Sequence, residues 1–259
     1  MELNGKHALI IGGSSGIGLA TVKKLASHGC NLVIIHRDRK QGVLALEEIC
    51  SNLKNEFGVK IENFNIDATN PEKINECVQT IKEAGISNFD TVLHAVSRGN
   101  LKPFVSEGPK LTPQDLALTI EAMGTNLQVW TNELLENKLL ANGSKVLTLT
   151  SEGNDKFWPG YGAVALAKST LETLSKYLAI ELAPYGITVN IIQAGVTDTP
   201  SLRLIPGSDK LVEESRQRNP FNRLTTPEDV ANTIYLLSQP EANWINGALI
   251  HVDGGEHLI

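Results

Sequence analysis

Tyr161 and Lys168 stand seven positions apart in the run Pro159-Gly160-Tyr161-Gly162-Ala163-Val164-Ala165-Leu166-Ala167-Lys168, which opens an apolar, Ala-rich segment reaching to about Pro184. A helix turns about 100° per residue, so the two would differ by only about 20° around the axis and share one face, two turns apart. A phenol and an ammonium so placed would point into one site. The phenol has a solution pKa of about 10, and a cation held nearby favours its ionised form, so the pair reads as a proton donor tuned by Lys168. The competing reading of Tyr161 is a partly buried aromatic at a helix start, as expected of Tyr177 and Tyr185 further along.

A second stretch with chemical meaning is Gly12-Gly13-Ser14-Ser15-Gly16-Ile17-Gly18, between a strand-like run and an apolar helical one. Glycines there let the backbone turn and approach a pyrophosphate closely, while the free N–H groups of the helix start meet its charge. Without a ligand the same pattern would be only a tight strand-to-helix turn.

These residues need a scaffold, and the chain supplies short β-rich runs alternating with longer amphipathic segments. Strands are expected at His7 to Ile11, Asn31 to Ile35, Val59 to Ile66, Phe89 to Ala95, Lys145 to Thr150, Ile187 to Gln193 and Ala248 to Val252. Helices fit between them at 16–28, 39–56, 71–84, 113–137, 160–183 and 227–238. Parallel strands require crossover connections, so the alternation predicts an α/β fold, a Rossmann-type doubly wound, seven-stranded parallel sheet with helices on both faces. At 259 residues and 41% hydrophobic composition, without repeats or a Gly/Ser linker, one large domain over 1–259 is the simplest organisation.

A formal net charge of -6 with a pI near 5.6 argues against a nucleic-acid surface. The start, Met1-Glu2-Leu3-Asn4-Gly5-Lys6, carries no signal-peptide pattern and no apolar stretch of membrane-spanning length follows, so a cytoplasmic location is expected. Cys30, Cys50 and Cys77 lack CxxC or Cys/His spacing and read as reduced structural thiols, with no metal expected.

Tyr161 and Lys168 on one helix, with Gly12-x3-Gly16-x-Gly18 near the start, resemble the short-chain dehydrogenase/reductase superfamily. Most members place the Tyr four residues before the Lys, a position held here by Val164, which cannot transfer a proton. Seven-residue spacing resembles the enoyl-acyl-carrier-protein reductases instead, and Ser151, ten residues before Tyr161, points within them to the enoyl reductase III type. If the helix includes residue 161, its phenol lies about 4.5 Å further along the axis than one at 164 would. In keto reduction the proton goes to the oxygen on the carbon that receives hydride. In enoyl-thioester reduction the hydride goes to the β-carbon and charge appears on the more distant thioester oxygen, which a displaced donor suits.

The resemblance implies further roles. Ser151 would assist Tyr161, although a Ser at a strand end also serves as a turn residue. Asn126, in Thr125-Asn126-Leu127, matches the Asn that in the superfamily kinks a helix and links the Lys to water; otherwise it is an exposed helix position. NAD-binding relatives usually carry an acid where this chain has His36, so Arg37, with Ser14 donating a hydrogen bond, would take a 2′-phosphate and favour NADPH. The alternative is a loop Arg among Asp38, Arg39 and Lys40. Asp67-Ala68 resembles the adenine pocket, or Asp67 is simply an acid ahead of the helix near Pro71.

His94-Ala95-Val96-Ser97-Arg98-Gly99 replaces the family's Asn-Asn-Ala-Gly, leaving Ala95 beside the cofactor ribose and His94 as a satisfied polar residue rather than a base. In Gln193-Ala194-Gly195-Val196-Thr197-Asp198-Thr199-Pro200, Ala194 and Gly195 would lie against the cofactor, the backbone would hold the nicotinamide carboxamide through Thr197, and Thr199 would reach the phosphates. The segment 200–226, with Leu211, Val212, Glu213, Glu214 and Arg216, resembles the lid of an enoyl reductase III and would close over an acyl chain. Together these imply an NADPH-dependent enoyl reductase of fatty acid or polyketide biosynthesis, acting on an acyl-carrier-protein or coenzyme A thioester as a homotetramer. A 3-oxoacyl or other ketone reductase is the alternative, and a catalytically inactive dinucleotide-binding sensor a third.

Overall fold

The computed structural model describes residues 2–259. Its seven strands, β1 (His7–Ile11), β2 (Asn31–His36), β3 (Ile61–Asn65), β4 (Thr91–His94), β5 (Lys145–Ser151), β6 (Thr188–Ala194) and β7 (Leu249–Val252), form one sheet. The order is β3-β2-β1-β4-β5-β6-β7, and every neighbouring pair is parallel. The expected doubly wound fold is therefore observed. The chain crosses from one edge back to the middle between β3 and β4, so a crevice opens beyond the carboxyl ends of β1 and β4, where such folds bind ligands.

Strands covered on both faces need apolar side chains in both directions, which is why the runs are continuous rather than alternating. In β1 and β2, Ala8, Ile10, Leu32 and Ile34 enter one core with helices α1 (Gly16–Ser27), α2 (Lys40–Phe57) and α8 (Pro227–Leu237). Their neighbours Leu9, Ile11, Val33 and Ile35 enter the other, against α3 (Pro71–Glu83), α5 (Asn126–Glu136) and α6 (Gly162–Glu181).

Several boundaries follow from local chemistry. Thr112 and Thr226 each accept a hydrogen bond from the N–H three residues on, while Asp115 and Asp229 reach back to the cap N–H, and a Pro opens each helix. The single helix expected over 113–137 is instead α4 (Pro113–Ile120), a π-helical turn over Glu121–Thr125, and α5. Gly124 in that turn lies against α6 so closely that a Cβ would stand 3.1 Å from the Ala167 carbonyl oxygen. A wider turn with a bare backbone lets the two helices meet there. The segment after β6 holds a further helix, α7 (Ser208–Arg218), where the sequence showed only a short amphipathic piece.

Candidate active site

The carboxyl ends of β1, β2, β3, β4, β5 and β6 surround a cleft of about 760 Å³. Gly12, Ser14, Ser15, Gly16, Ile17 and Gly18 line it from the first strand-to-helix turn, and Arg37, Asp67, Ala68 and Ala95 from the next three strands. Ser151, Tyr161, Lys168, Ala194, Gly195, Thr197 and Thr199 complete it from the other side. Asn126 alone among the expected site residues is not in the wall; it lies behind it.

The glycine turn is shaped for close approach. Gly12 has φ +95°, and a Cβ there would fall 2.6 Å from the Ala95 carbonyl oxygen; one on Gly18 would fall 2.1 Å from the Gly12 carbonyl oxygen. Ser15 caps α1 without spending its hydroxyl on the helix, and the first-turn N–H groups have no intrahelical partner. A Cβ on Gly16 would stand 3.2 Å from the methyl of Thr199, so that residue sits directly against the turn. This bare, donor-rich cradle fits the pyrophosphate of a dinucleotide.

The end of the cleft beside β2 and β3 gathers several charges. His36, buried at 3% exposure, holds Asp38 at 2.8 Å through Nδ1 and Asn63 at 3.2 Å through Nε2. Arg37 donates to Asp67 at 2.5 Å and Arg98 donates to the same carboxylate oxygen at 2.9 Å. Burial alone would raise the Asp67 pKa, but the Thr69 hydroxyl and N–H together with the two guanidinium groups hold it at about 2. Arg37 is thus in the cleft as expected, yet tied to the residue expected to meet the base. Arg98 is a cleft cation the sequence reading passed over.

At the other end, Tyr161 is the cap residue immediately before α6 rather than its first turn. Gly160, at φ +74°, turns the chain into it, and Gly153 lies so close to the phenol that a Cβ would stand 2.4 Å from the ring. The phenol is 3.1 Å from the Ser151 hydroxyl. Val164, where most short-chain reductases carry the Tyr, is buried among Ala122, Met123, Ala167 and Tyr161 and against Gly99.

Lys168 is buried at 8% exposure and donates to the Leu149 carbonyl oxygen on β5 at 2.7 Å. Burial pulls its pKa down to about 8, with the Glu172 carboxylate acting in the opposite direction. Glu172 also gathers Thr150 (2.5 Å) and Asn154 (2.8 Å) at the end of β5. The expectation that Lys168 lowers the Tyr161 pKa is not met here: burial raises it, with the Ser151 hydrogen bond partly opposing. The phenol is therefore protonated at neutral pH and available as a donor.

Asn126 follows the π-helical turn and is 2% exposed, which removes the surface-position reading. Its amide donates to the Ala68 carbonyl oxygen at 2.8 Å, and its Oδ1 lies 3.2 Å from Nε2 of His94. His94 is held neutral, its pKa about 4, chiefly by burial, with the Lys168 charge adding to the effect and the Asn126 bond opposing it. It braces β4 against α5 instead of acting as a base.

The 200–226 segment covers one wall. Leu202, Leu204, Ile205, Leu211 and Ser215 line the cleft, joined by Phe157 and Trp158 from the loop before Tyr161. Trp158 donates to the Pro206 carbonyl oxygen at 2.9 Å. At the far end of α7, Arg218 bonds Glu152, next to Ser151, and Glu256 at 2.5 Å near the chain end. Sequence spacing gives no signal for this triad, since its members lie on three separate segments.

The family model described as Enoyl-(Acyl carrier protein) reductase matches residues 12–257. The enoyl-[acyl-carrier-protein] reductase [NADH] FabI of Bacillus cereus is 31% identical over 193 residues, 74% of each chain. The corresponding [NADPH] protein of Staphylococcus aureus is 27% identical over 262 residues, covering 100% of this chain and 99% of its own. The crystal structure of the Aquifex aeolicus enoyl-[acyl-carrier-protein] reductase (NADH) superposes with a TM-score of 0.86 at 26% identity, covering 100% of this chain and 99% of that one.

Proposed function

This chain belongs to the enoyl-(acyl carrier protein) reductase family of short-chain reductases, and on that premise we propose that it reduces the carbon–carbon double bond of an enoyl thioester with NADPH. The observation that carries the reading is the phenol in the cleft: Tyr161 lines it with Lys168 and bonds Ser151, and the keto-reductase position is a buried Val164.

The nicotinamide, when bound, supplies hydride. The chain's own residues do the rest. Tyr161 donates its hydroxyl proton, or a hydrogen bond, to the thioester oxygen as negative charge gathers there, and Ser151 orients that hydroxyl. Lys168 retains N–H donors beyond the one given to Leu149 and holds the ribose hydroxyls with them. The first turn of α1 takes the pyrophosphate. Phe157, Trp158, Leu204 and Leu211 offer an apolar wall to the acyl chain and exclude water.

Cofactor choice rests on Arg37. No acid occupies position 36; Arg37 and Arg98 both donate to Asp67 while Asp38, the other carboxylate of this wall, is held by His36, and the two guanidinium groups are the donors that suit a 2′-phosphate. An acyl-carrier-protein thioester is the proposed substrate form, with coenzyme A thioesters as surrogates, and the segment 200–226 is the proposed lid. Exposed Leu166, Tyr177 and Ile180 on α6 support self-association, with a tetramer as the proposed form. Among the described residues no helix is long and apolar enough to cross a membrane, which accords with a cytoplasmic enzyme.

The test is turnover of NADPH by the purified protein against a crotonyl and an acetoacetyl thioester. Crotonyl reduction is expected. Reduction of acetoacetyl alone would make the protein a ketone reductase, and reduction of neither would favour a dinucleotide sensor.

A further inference from the structure

Away from the cleft, a smaller depression is lined by the last strand and the turn that follows it, and two histidines face each other there. His251 projects from β7, exposed; His257 belongs to the terminal turn Glu256–Leu258. Their rings are nearly parallel, 13° apart in plane with centroids 3.8 Å apart. Asp253, buried between them in sequence, accepts from the N–H of Gly255 at 2.9 Å and of His257 at 3.1 Å, and its Oδ2 lies 2.6 Å from Nδ1 of His257.

We propose that His251, Asp253 and His257 form a binding site for a divalent transition-metal ion. One ligating atom from each of the three lies within 4.8 Å of the others. Zinc–nitrogen and zinc–oxygen bonds of about 2.0–2.2 Å need donors somewhat closer than this. His251 is free to swing on an exposed strand and close the difference.

The local hydrogen bonds point the same way. Nδ1 of His257 and Oδ2 of Asp253 are two donor atoms already side by side, and a metal ion would take the place of the proton they share, since metal binding releases protons from its ligands. Among the described residues, neither ring nitrogen of His251, stacked beside His257, has a hydrogen-bond partner. Two imidazoles and one carboxylate form a borderline nitrogen–oxygen set that favours zinc, nickel or cobalt over magnesium or calcium. A bound ion would tie β7 to the terminal turn, whose Glu256 also bonds Arg218, and Asp253 receives Asn219 through its carbonyl oxygen at 2.8 Å.

Zinc ion alone is the probe, added to the full-length protein and followed by calorimetry and by competition with a chromogenic zinc indicator. One ion per chain is expected, with affinity falling by about tenfold or more in His251→Gln and in His257→Gln. His28→Gln, at the surface elsewhere, is expected to bind as the unmodified protein does. Because His251 is exposed, its variant tests the site without disturbing the core; cobalt absorption in the visible then reports nitrogen ligation, and it should weaken in both variants. Absence of zinc binding, binding unchanged in both variants, or displacement of zinc by equimolar magnesium overturns the proposal.

Discussion

The hydroxyls of Tyr161 and Ser151 lie 3.1 Å apart, joining the last residue of β5 to the residue that caps α6. Gly153 leaves room for the ring, which packs against the buried cluster that holds Val164, and the Ser151 contact fixes the hydroxyl at its end. A protonated phenol aimed from the helix start, one turn earlier than the keto-reductase position, is the feature on which the proposed chemistry turns.

Replacing Tyr161 by Phe keeps the ring and removes the donor. Under the enoyl reading kcat falls by roughly 10²-fold or more while cofactor affinity changes little. Adding Val164→Tyr to that variant moves a phenol about 4.5 Å along the helix, and it is expected not to restore enoyl reduction. Steady-state rates with a crotonyl thioester decide the matter; near-full activity in Tyr161→Phe would remove the residue from the mechanism.

Arg37→Ala is expected to narrow the preference for NADPH over NADH, since a charge-assisted contact to phosphate is worth about 1.5–3 kcal/mol, roughly tenfold or more in affinity. The comparison uses fluorescence titration of both cofactors with both proteins. Equal affinities for NADPH and NADH in the unmodified protein would refute the assignment.

His94 makes stability depend on pH in a definite direction. Its folded pKa of about 4 lies below the ordinary value of 6.5, so between those limits the unfolded chain carries a proton that the folded chain does not. Stability therefore falls as pH drops through that window, by on the order of 3 kcal/mol in total. In His94→Asn this loss is absent, and urea unfolding at pH 7 and pH 4.5 should show the variant losing less stability than the unmodified protein. Parallel losses in the two would mean that His94 is not held neutral by the fold.

Much of the protein was legible along the chain because the relevant physics is local. Continuous apolar runs between amphipathic ones imply a parallel sheet covered on both faces, and the observed strand ranges depart from the expected ones by at most a few residues. The glycine turn and the Tyr161–Lys168 spacing also follow from backbone geometry over seven residues or so, and the fold brings both to one cleft. The break at Glu121–Thr125 was less visible, because its cause is the approach of α6 to Gly124, not any breaker residue in the run itself.

Only the tertiary structure decided the electrostatics. Burial raises the Tyr161 pKa, and the Lys168 ammonium turns to a strand carbonyl, neither of which a helical wheel contains. Arg98 meets Asp67 across 31 positions, Asn126 meets Ala68 across 58, and Arg218 meets Glu152 across 66. Such pairs are set by which loop ends the sheet order places side by side. A polar side chain finds its partner by proximity in the fold, and residue spacing encodes that proximity only within a single element.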